Sequence, residues 1–161
     1  GSLDVAINAL QSATSPHRFL GISPAGQVSV IHTRGNEHAH VVLRGGSNGS
    51  NYDAASIAAT EDKLASLDLP ASIMVDCSHA NSNKDHNQQI NVLQTVQDHL
   101  LSGNHSITGV MIESNLHAGN QSMKDLSNLQ YGVSVTDACV NWEDTTSMLT
   151  DLNAALSKRA A

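Results

Sequence analysis

The stretch that decides the fold is "SIMVDCSHANSNKDHNQQI", residues 72–90, because it changes character halfway. Residues 72–77 are apolar and β-branched enough to read as a buried strand. At Asp76 the chain leaves that pattern, and His79 follows among serines and asparagines. Polar loops are common and need no function. An imidazole placed just past the end of a buried strand, however, also suits a site facing outward from that end.

On either side the same alternation repeats. A strand over 39–45, "AHVVLRG", leads through Gly, Ser and Asn to a helix at about 53–68, with Ile57, Leu64 and Leu67 joined by Ala58 and Ala65 in one apolar stripe. Past the quoted strand a helix at about 86–101 carries Ile90, Leu93, Val96 and Leu100, and Gly103 stops it. A third strand, "ITGVMIE" (107–113), and a last helix at about 143–157 with Met148, Leu149, Leu152 and Leu156 complete the series. Strand and helix in alternation predict a parallel α/β architecture.

The N-terminal part is different. A helix is expected over the first dozen residues from Leu3, Ile7 and Leu10, with Pro16 beyond its end. Segments 17–23 and 27–33, joined by Ser23-Pro24-Ala25-Gly26, predict a β-hairpin. The long stretch 114–142 lacks periodicity, and a connection of that length in a compact domain is usually functional or disordered.

Arg44, His79 and Glu113 each stand at or just beyond a strand's C-terminal end, 35 and 34 residues apart. One strand-plus-helix unit of a (β/α)8 barrel takes roughly 30 residues. A solenoid repeats at similar lengths, but the units here share no sequence beyond their apolar pattern, so the barrel is preferred. Only three parallel strands and a hairpin are counted. The expectation is therefore a partial TIM barrel, its C-terminal units of about strands six to eight with an inserted β-hairpin, residues 1–161 forming the C-terminal portion of one domain.

Composition narrows the partners. With 8 Lys and Arg against 15 Asp and Glu, the net charge of −7 argues against nucleic acid. No apolar run approaches the roughly 18 residues of a membrane helix. Cys77 and Cys139 are too few for a disulfide framework and predict reduced, partly buried thiols in a cytoplasmic protein.

Arg44-Gly45-Gly46 offers a forked donor and flexible backbone to an anion, although a structural turn with a solvated arginine explains it equally well. His79 and Glu113 form the stronger pair, since imidazole and carboxylate ligate Mn, Fe, Co or Zn in mixed nitrogen and oxygen sites. A charged carboxylate ending the apolar run "GVMIE" is costly to bury without a cation. Asp137 in the long loop can close a three-ligand set. Most of the other histidines read as surface residues, Asp76 equally as a residue that orients a neighbour or as one that acts directly, and Asp144 or Thr145 as cap of the last helix.

Taken in order and spacing, "LRGG", "DCSHANSNKD", "GVMIESNLHAGNQ", "YGVSVTDAC" and "NWEDT" resemble class I 3-deoxy-D-arabino-heptulosonate 7-phosphate (DAHP) synthases along the whole chain. The related 3-deoxy-D-manno-octulosonate 8-phosphate synthases lack the last three motifs. The resemblance implies a (β/α)8 barrel and condensation of phosphoenolpyruvate with erythrose 4-phosphate, releasing phosphate, at the start of the shikimate pathway. It further implies Arg44 as a phosphoenolpyruvate ligand and His79, Glu113 and Asp137 as three of four ligands to a divalent metal. Neither cysteine lies in the motif that supplies the family's fourth ligand, and the Lys-Pro-Arg-Thr segment has no counterpart here. The alternative expectation is thus a truncated, catalytically silent piece that binds metal or anions weakly. Dimers or tetramers are implied for the whole protein. The hairpin region would belong to an allosteric pocket for an aromatic amino acid. Phe19 and Gly21 match pocket positions there, and a glycine at the latter leaves room for the hydroxyl of tyrosine.

Overall fold

The computed structural model describes residues 2–159. Helix α1 (Leu3–Thr14) starts where the Ser2 hydroxyl accepts from the Val5 N–H, and it buries Ile7 and Leu10. Strands β1 (Arg18–Ile22) and β2 (Val28–His32) pair antiparallel, Phe19 opposite Ile31 and Gly21 opposite Ser29. Their turn closes as expected, with the Gly26 N–H donating to the Ser23 carbonyl at 2.9 Å and Gly26 at φ +76°.

The alternating part builds a three-stranded parallel sheet in the order β3 (Val41–Leu43), β4 (Ile73–Asp76), β5 (Ile107–Met111). Helix α2 (Ala54–Ala65) follows β3, α3 (Gln89–Leu101) follows β4, and α4 (Trp142–Arg159) comes after the long connection. This is the α/β arrangement expected from the sequence. Among the described residues no helix is long and apolar enough to cross a membrane.

One core joins these elements. Val41 and Leu43, Ile73 and Val75, and Ile107 face Ile7 and Leu10 of α1, Ile57 and Leu64 of α2, Val92, Leu93 and Val96 of α3, and Met148 of α4. The other sheet face is barer: Val42, opposite Met74 and in turn Gly109, is 37% exposed, and Met111 is 39% exposed.

Several details differ from the sequence expectation. On α2 the buried stripe is Ile57, Thr60 and Leu64, while Ala58 and Ala65 are exposed. Thr60 can lie inside because its hydroxyl donates back to the Ser56 carbonyl at 2.8 Å. On α3, Ile90 is exposed and Gln89 is buried in its place. On α4, Leu149 faces outward. That helix is capped by Asn141 rather than Asp144 or Thr145, the Asn141 side chain accepting from the Asp144 N–H at 2.7 Å.

The stretch 114–142 is ordered by pairings to itself and to the end of β5. Ser114 pairs parallel with Val140, Gly119 antiparallel with Cys139, and Asn120 parallel with Ser134. These bridges bring Asp137 back toward the sheet.

Candidate functional site

All three strand-end residues lie at the C-terminal edge of the parallel sheet, Arg44 one residue past β3, His79 three past β4 and Glu113 two past β5. In α/β proteins this is the edge where ligands bind, because the chain leaves each strand there into a loop.

The loop after β4 is built almost wholly of satisfied polar groups. Asp76, Ser78, Asn81 and Ser82 are all buried. Among the described residues no buried side-chain nitrogen or oxygen lacks a partner. Asn81 donates both to the Leu43 carbonyl at 2.9 Å and to the Asp76 carbonyl at 2.8 Å, and its oxygen accepts from the Asn51 N–H at 2.9 Å. It thereby ties the end of β3 to the end of β4.

His79, Asn83 and Lys84 hold φ values of 49°, 53° and 61° in this loop. Such left-handed backbone costs about 1–3 kcal/mol at a non-glycine residue and persists only where the surroundings enforce it.

Asp76 fixes the imidazole. Its Oδ1 accepts from the Ser78 N–H and hydroxyl at 2.8 and 2.6 Å, and its Oδ2 lies 2.7 Å from His79 Nδ1. A proton on Nδ1 shared with Asp76 leaves the Nε2 lone pair free, the arrangement typical of a metal-ligating histidine. Nε2 points at Glu113, 3.7 Å from Oε1. One donor atom each from His79, Glu113 and Asp137 fall within 4.8 Å of one another. The two carboxylates expected from sequence and the imidazole are therefore brought together.

Their chemistry suits a cation. Partial burial, above all, raises Glu113 above the ordinary carboxylate range; Asp137 and Asp76 push it the same way, and His79 opposes them. A bound cation would remove that repulsion. One imidazole nitrogen with two carboxylate oxygens is the mixed set that Mn, Fe, Co and Zn accept. Neither thiol joins the cluster: Cys77 is fully buried, and burial with the neighbouring Asp76 pushes it up to about 12. Cys139 is also raised, mainly by burial.

Arg44 lies apart from this cluster, on a cavity of about 440 Å³ whose lining includes Lys84 and His79 but no Asp or Glu. His79 and Lys84 also line a second cavity, about 300 Å³, which holds Glu113 and Asp137. A cationic pocket and a carboxylate-rich pocket thus share a wall. Neither Arg44 nor Lys84 forms an ion pair among the described residues.

The glycines beside Arg44 do something other than cradle an anion. The Gly45 N–H donates to Asn51 Oδ1 at 2.7 Å and the Gly46 N–H to the Gly49 carbonyl at 2.9 Å, so both amides are taken. At Gly45 a Cβ would come within 2.8 Å of Ala80 Cβ, so the close contact between the β3 and β4 loops requires glycine.

Sequence reasoning missed Asn51, Asn81 and Gln89. The signal for Gln89 was available: it stands at i with Val92, Leu93 and Val96 at i+3, i+4 and i+7, a polar residue on a buried stripe.

Phe19 and Gly21 share one face of β1, away from these cavities. The space above Gly21 is filled by Ile31, whose Cγ1 would lie 2.7 Å from an added Cβ, and Phe19 borders the same spot.

Comparison with known sequences decides the relationship, since the profile of the DAHP synthetase I family matches residues 1–150. The chain belongs to the DAHP synthetase I family. Family relatives include the Tyr-sensitive phospho-2-dehydro-3-deoxyheptonate aldolases of Salmonella typhimurium (strain LT2) and Escherichia coli (strain K12), each 50% identical over 100% of the chain. A tyrosine-inhibited aldolase of Candida albicans is 43% identical over 99% of it. The solved phospho-2-dehydro-3-deoxyheptonate aldolase of Francisella tularensis superposes with a TM-score of 0.90 at 43% identity, covering 98% of this chain and 46% of that one. The alignment takes in 45%, 46% and 44% of the Salmonella, Escherichia and Candida proteins respectively, so the chain spans under half the length of these relatives.

Proposed function

We propose that the protein carrying this chain condenses phosphoenolpyruvate with erythrose 4-phosphate to DAHP and phosphate, and that this chain contributes the C-terminal units of its barrel. The observation that carries the reading is the convergence of His79, Glu113 and Asp137 within 4.8 Å at the C-terminal edge of a parallel sheet. The bare sheet face with Val42 and Met111 supports an arc of a larger closed sheet, where that face would point inward.

In this reading His79 Nε2 and carboxylate oxygens of Glu113 and Asp137 hold a divalent cation, which supplies Lewis-acid polarisation of a carbonyl oxygen. Asp76 keeps the imidazole in the ligating tautomer and orientation. Arg44 presents its forked donors to the carboxylate or phosphate of phosphoenolpyruvate, in a pocket free of competing acids. Lys84, on the wall between the two cavities, adds positive charge where two anionic substrates must approach one another.

Phe19 and Gly21 are assigned to an effector pocket for tyrosine, supported by the tyrosine sensitivity named for three of the relatives above. Inhibition of the complete protein by tyrosine but not phenylalanine is the expected outcome; the reverse selectivity removes the assignment. A homodimer or homotetramer of the complete protein and a cytoplasmic location belong to the same proposal.

The second reading, that this chain alone is catalytically silent, is favoured by its span of 44–46% of the relatives' length. Phosphate release from both substrates, measured with Mn²⁺ present, tests both. The complete protein is expected to release phosphate and its His79→Ala variant to lose that activity, while the isolated chain releases none. Unchanged release by the variant contradicts the site, and turnover by the isolated chain contradicts the second reading.

A further inference from the structure

We propose that Gln89 is the positioning residue for Glu113, its side-chain amide standing in for the strand that β5 loses as a neighbour. The inference deepens the site proposed above and rests on Glu113 being a metal ligand.

Strands β4 and β5 run in parallel with Asp76 opposite Met111, and the Cys77 N–H donates to the Met111 carbonyl at 2.8 Å. In an unbroken parallel ladder the Glu113 N–H would next donate to the Cys77 carbonyl, and its C=O would accept from the His79 N–H. The chain turns away at Ser78 and His79, where φ is +49°, so neither bond forms. Glu113 is left at the sheet end, partly buried, with backbone groups that need partners.

Gln89 supplies both. Its Oε1 accepts from the Glu113 N–H at 2.9 Å and its Nε2 donates to the Glu113 carbonyl at 3.0 Å. The Val140 N–H donates to the same carbonyl at 3.0 Å, so the backbone of Glu113 is fully bonded. Gln89 itself is 0% exposed, although it opens a helix whose next residue, Ile90, is 42% exposed. Burying an amide and exposing an isoleucine is unfavourable locally, and the reciprocal pair of bonds to Glu113 accounts for it. A turn that frees His79 for ligation would otherwise unfix Glu113. Gln89 resolves that conflict.

The test uses the complete protein and Mn²⁺ alone as probe, with affinity read by calorimetry. Gln89→Met keeps length and volume and removes both bonds. The expected result is Mn²⁺ binding weakened by about tenfold or more, the range found for partners that orient metal ligands. Thr60→Val is the comparison: Thr60 is equally buried but bonds only within its own helix, so its loss moves stability and leaves Mn²⁺ affinity unchanged. Glu113→Gln identifies which reading fails. If wild type and Glu113→Gln bind Mn²⁺ alike, the metal site is wrong; if Glu113→Gln loses binding and Gln89→Met does not, only the role of Gln89 is wrong. Should Gln89→Met not fold, hydrogen exchange in the wild type decides instead. A Glu113 amide protected as strongly as those of β5 supports the proposal, and one that exchanges as fast as an open loop amide overturns it.

Discussion

The loop after β4 and the β1–β2 hairpin are both short segments at the margins of the parallel sheet and its helices, yet they treat their side chains in opposite ways. In the loop, polar residues are buried and bonded: Asp76 is 1% exposed and Ser78 1%. In the hairpin, apolar residues stand in the open, with Leu20, Ile22 and Val28 each 74–79% exposed. None of the hairpin's residues joins the core among the described residues, and the flanking His17 and Asn36 tie it to the end of α1, the His17 ring Nε2 lying 2.7 Å from the Ser12 carbonyl and the Asn36 N–H donating to the Ala13 carbonyl. The contrast separates what this chain completes by itself from what it leaves uncovered. Fixing a polar network so fully is costly in chain entropy, and the offsetting gain is a set of side chains held in one geometry.

The largest effects that bear on this contrast come from apolar residues. Leu64→Ala is expected to cost about 2–5 kcal/mol by denaturant unfolding, since Leu64 is 0% exposed. Leu20→Ala in the hairpin is expected to stay within about 0.5 kcal/mol, because that side chain already meets solvent. A large cost for Leu20→Ala would show that the hairpin is covered in solution and would erase the contrast.

Asn81→Ala comes next. It removes two hydrogen bonds to the ends of β3 and β4 and a third from the Asn51 N–H, and takes a partner from buried backbone groups, an expected loss of about 1–3 kcal/mol. A neutral result would mean that water replaces the amide, and the loop would then be less closed than described.

A smaller effect is expected at Asp53, the cap of α2. Its carboxylate accepts from the Ser56 hydroxyl and N–H, and those bonds, the hydroxyl first, hold Asp53 below its ordinary value. A carboxyl lowered by folding stabilises above its unfolded value and loses that contribution as pH falls through its folded one. Asp53→Ala should therefore cost about 1 kcal/mol near neutrality and progressively less below about pH 4. A cost independent of pH would show that the cap does not depend on charge.

Strand ends were readable because an apolar run stops sharply at each. Arg44, His79 and Glu113 could be placed at one edge from that alone, and Asp137 entered as an acid of the connecting loop able to close a three-ligand set. The partners of the supporting residues were not readable, for a physical reason. Asn81 and Gln89 matter through bonds to backbone groups 38 and 24 residues away, and residue type gives no hint of such partners. Ile90 was misassigned because a helical stripe looks the same when shifted by one residue, and only the demand of Glu113 for an amide selects the shift. Asn141, rather than Asp144, caps α4 because the helix begins at Trp142, one residue before the expected start at about 143. For Gly45 and Gly46 the sequence left an anion cradle and a structural turn equally open, and their occupied amides favour the turn.

The most direct measurement is anomalous diffraction from crystals of the protein soaked in Mn²⁺. A single strong peak is expected about 2.2 Å from His79 Nε2 and from one oxygen each of Glu113 and Asp137. Manganese bound only elsewhere, with these three side chains turned away from a common point, would contradict it.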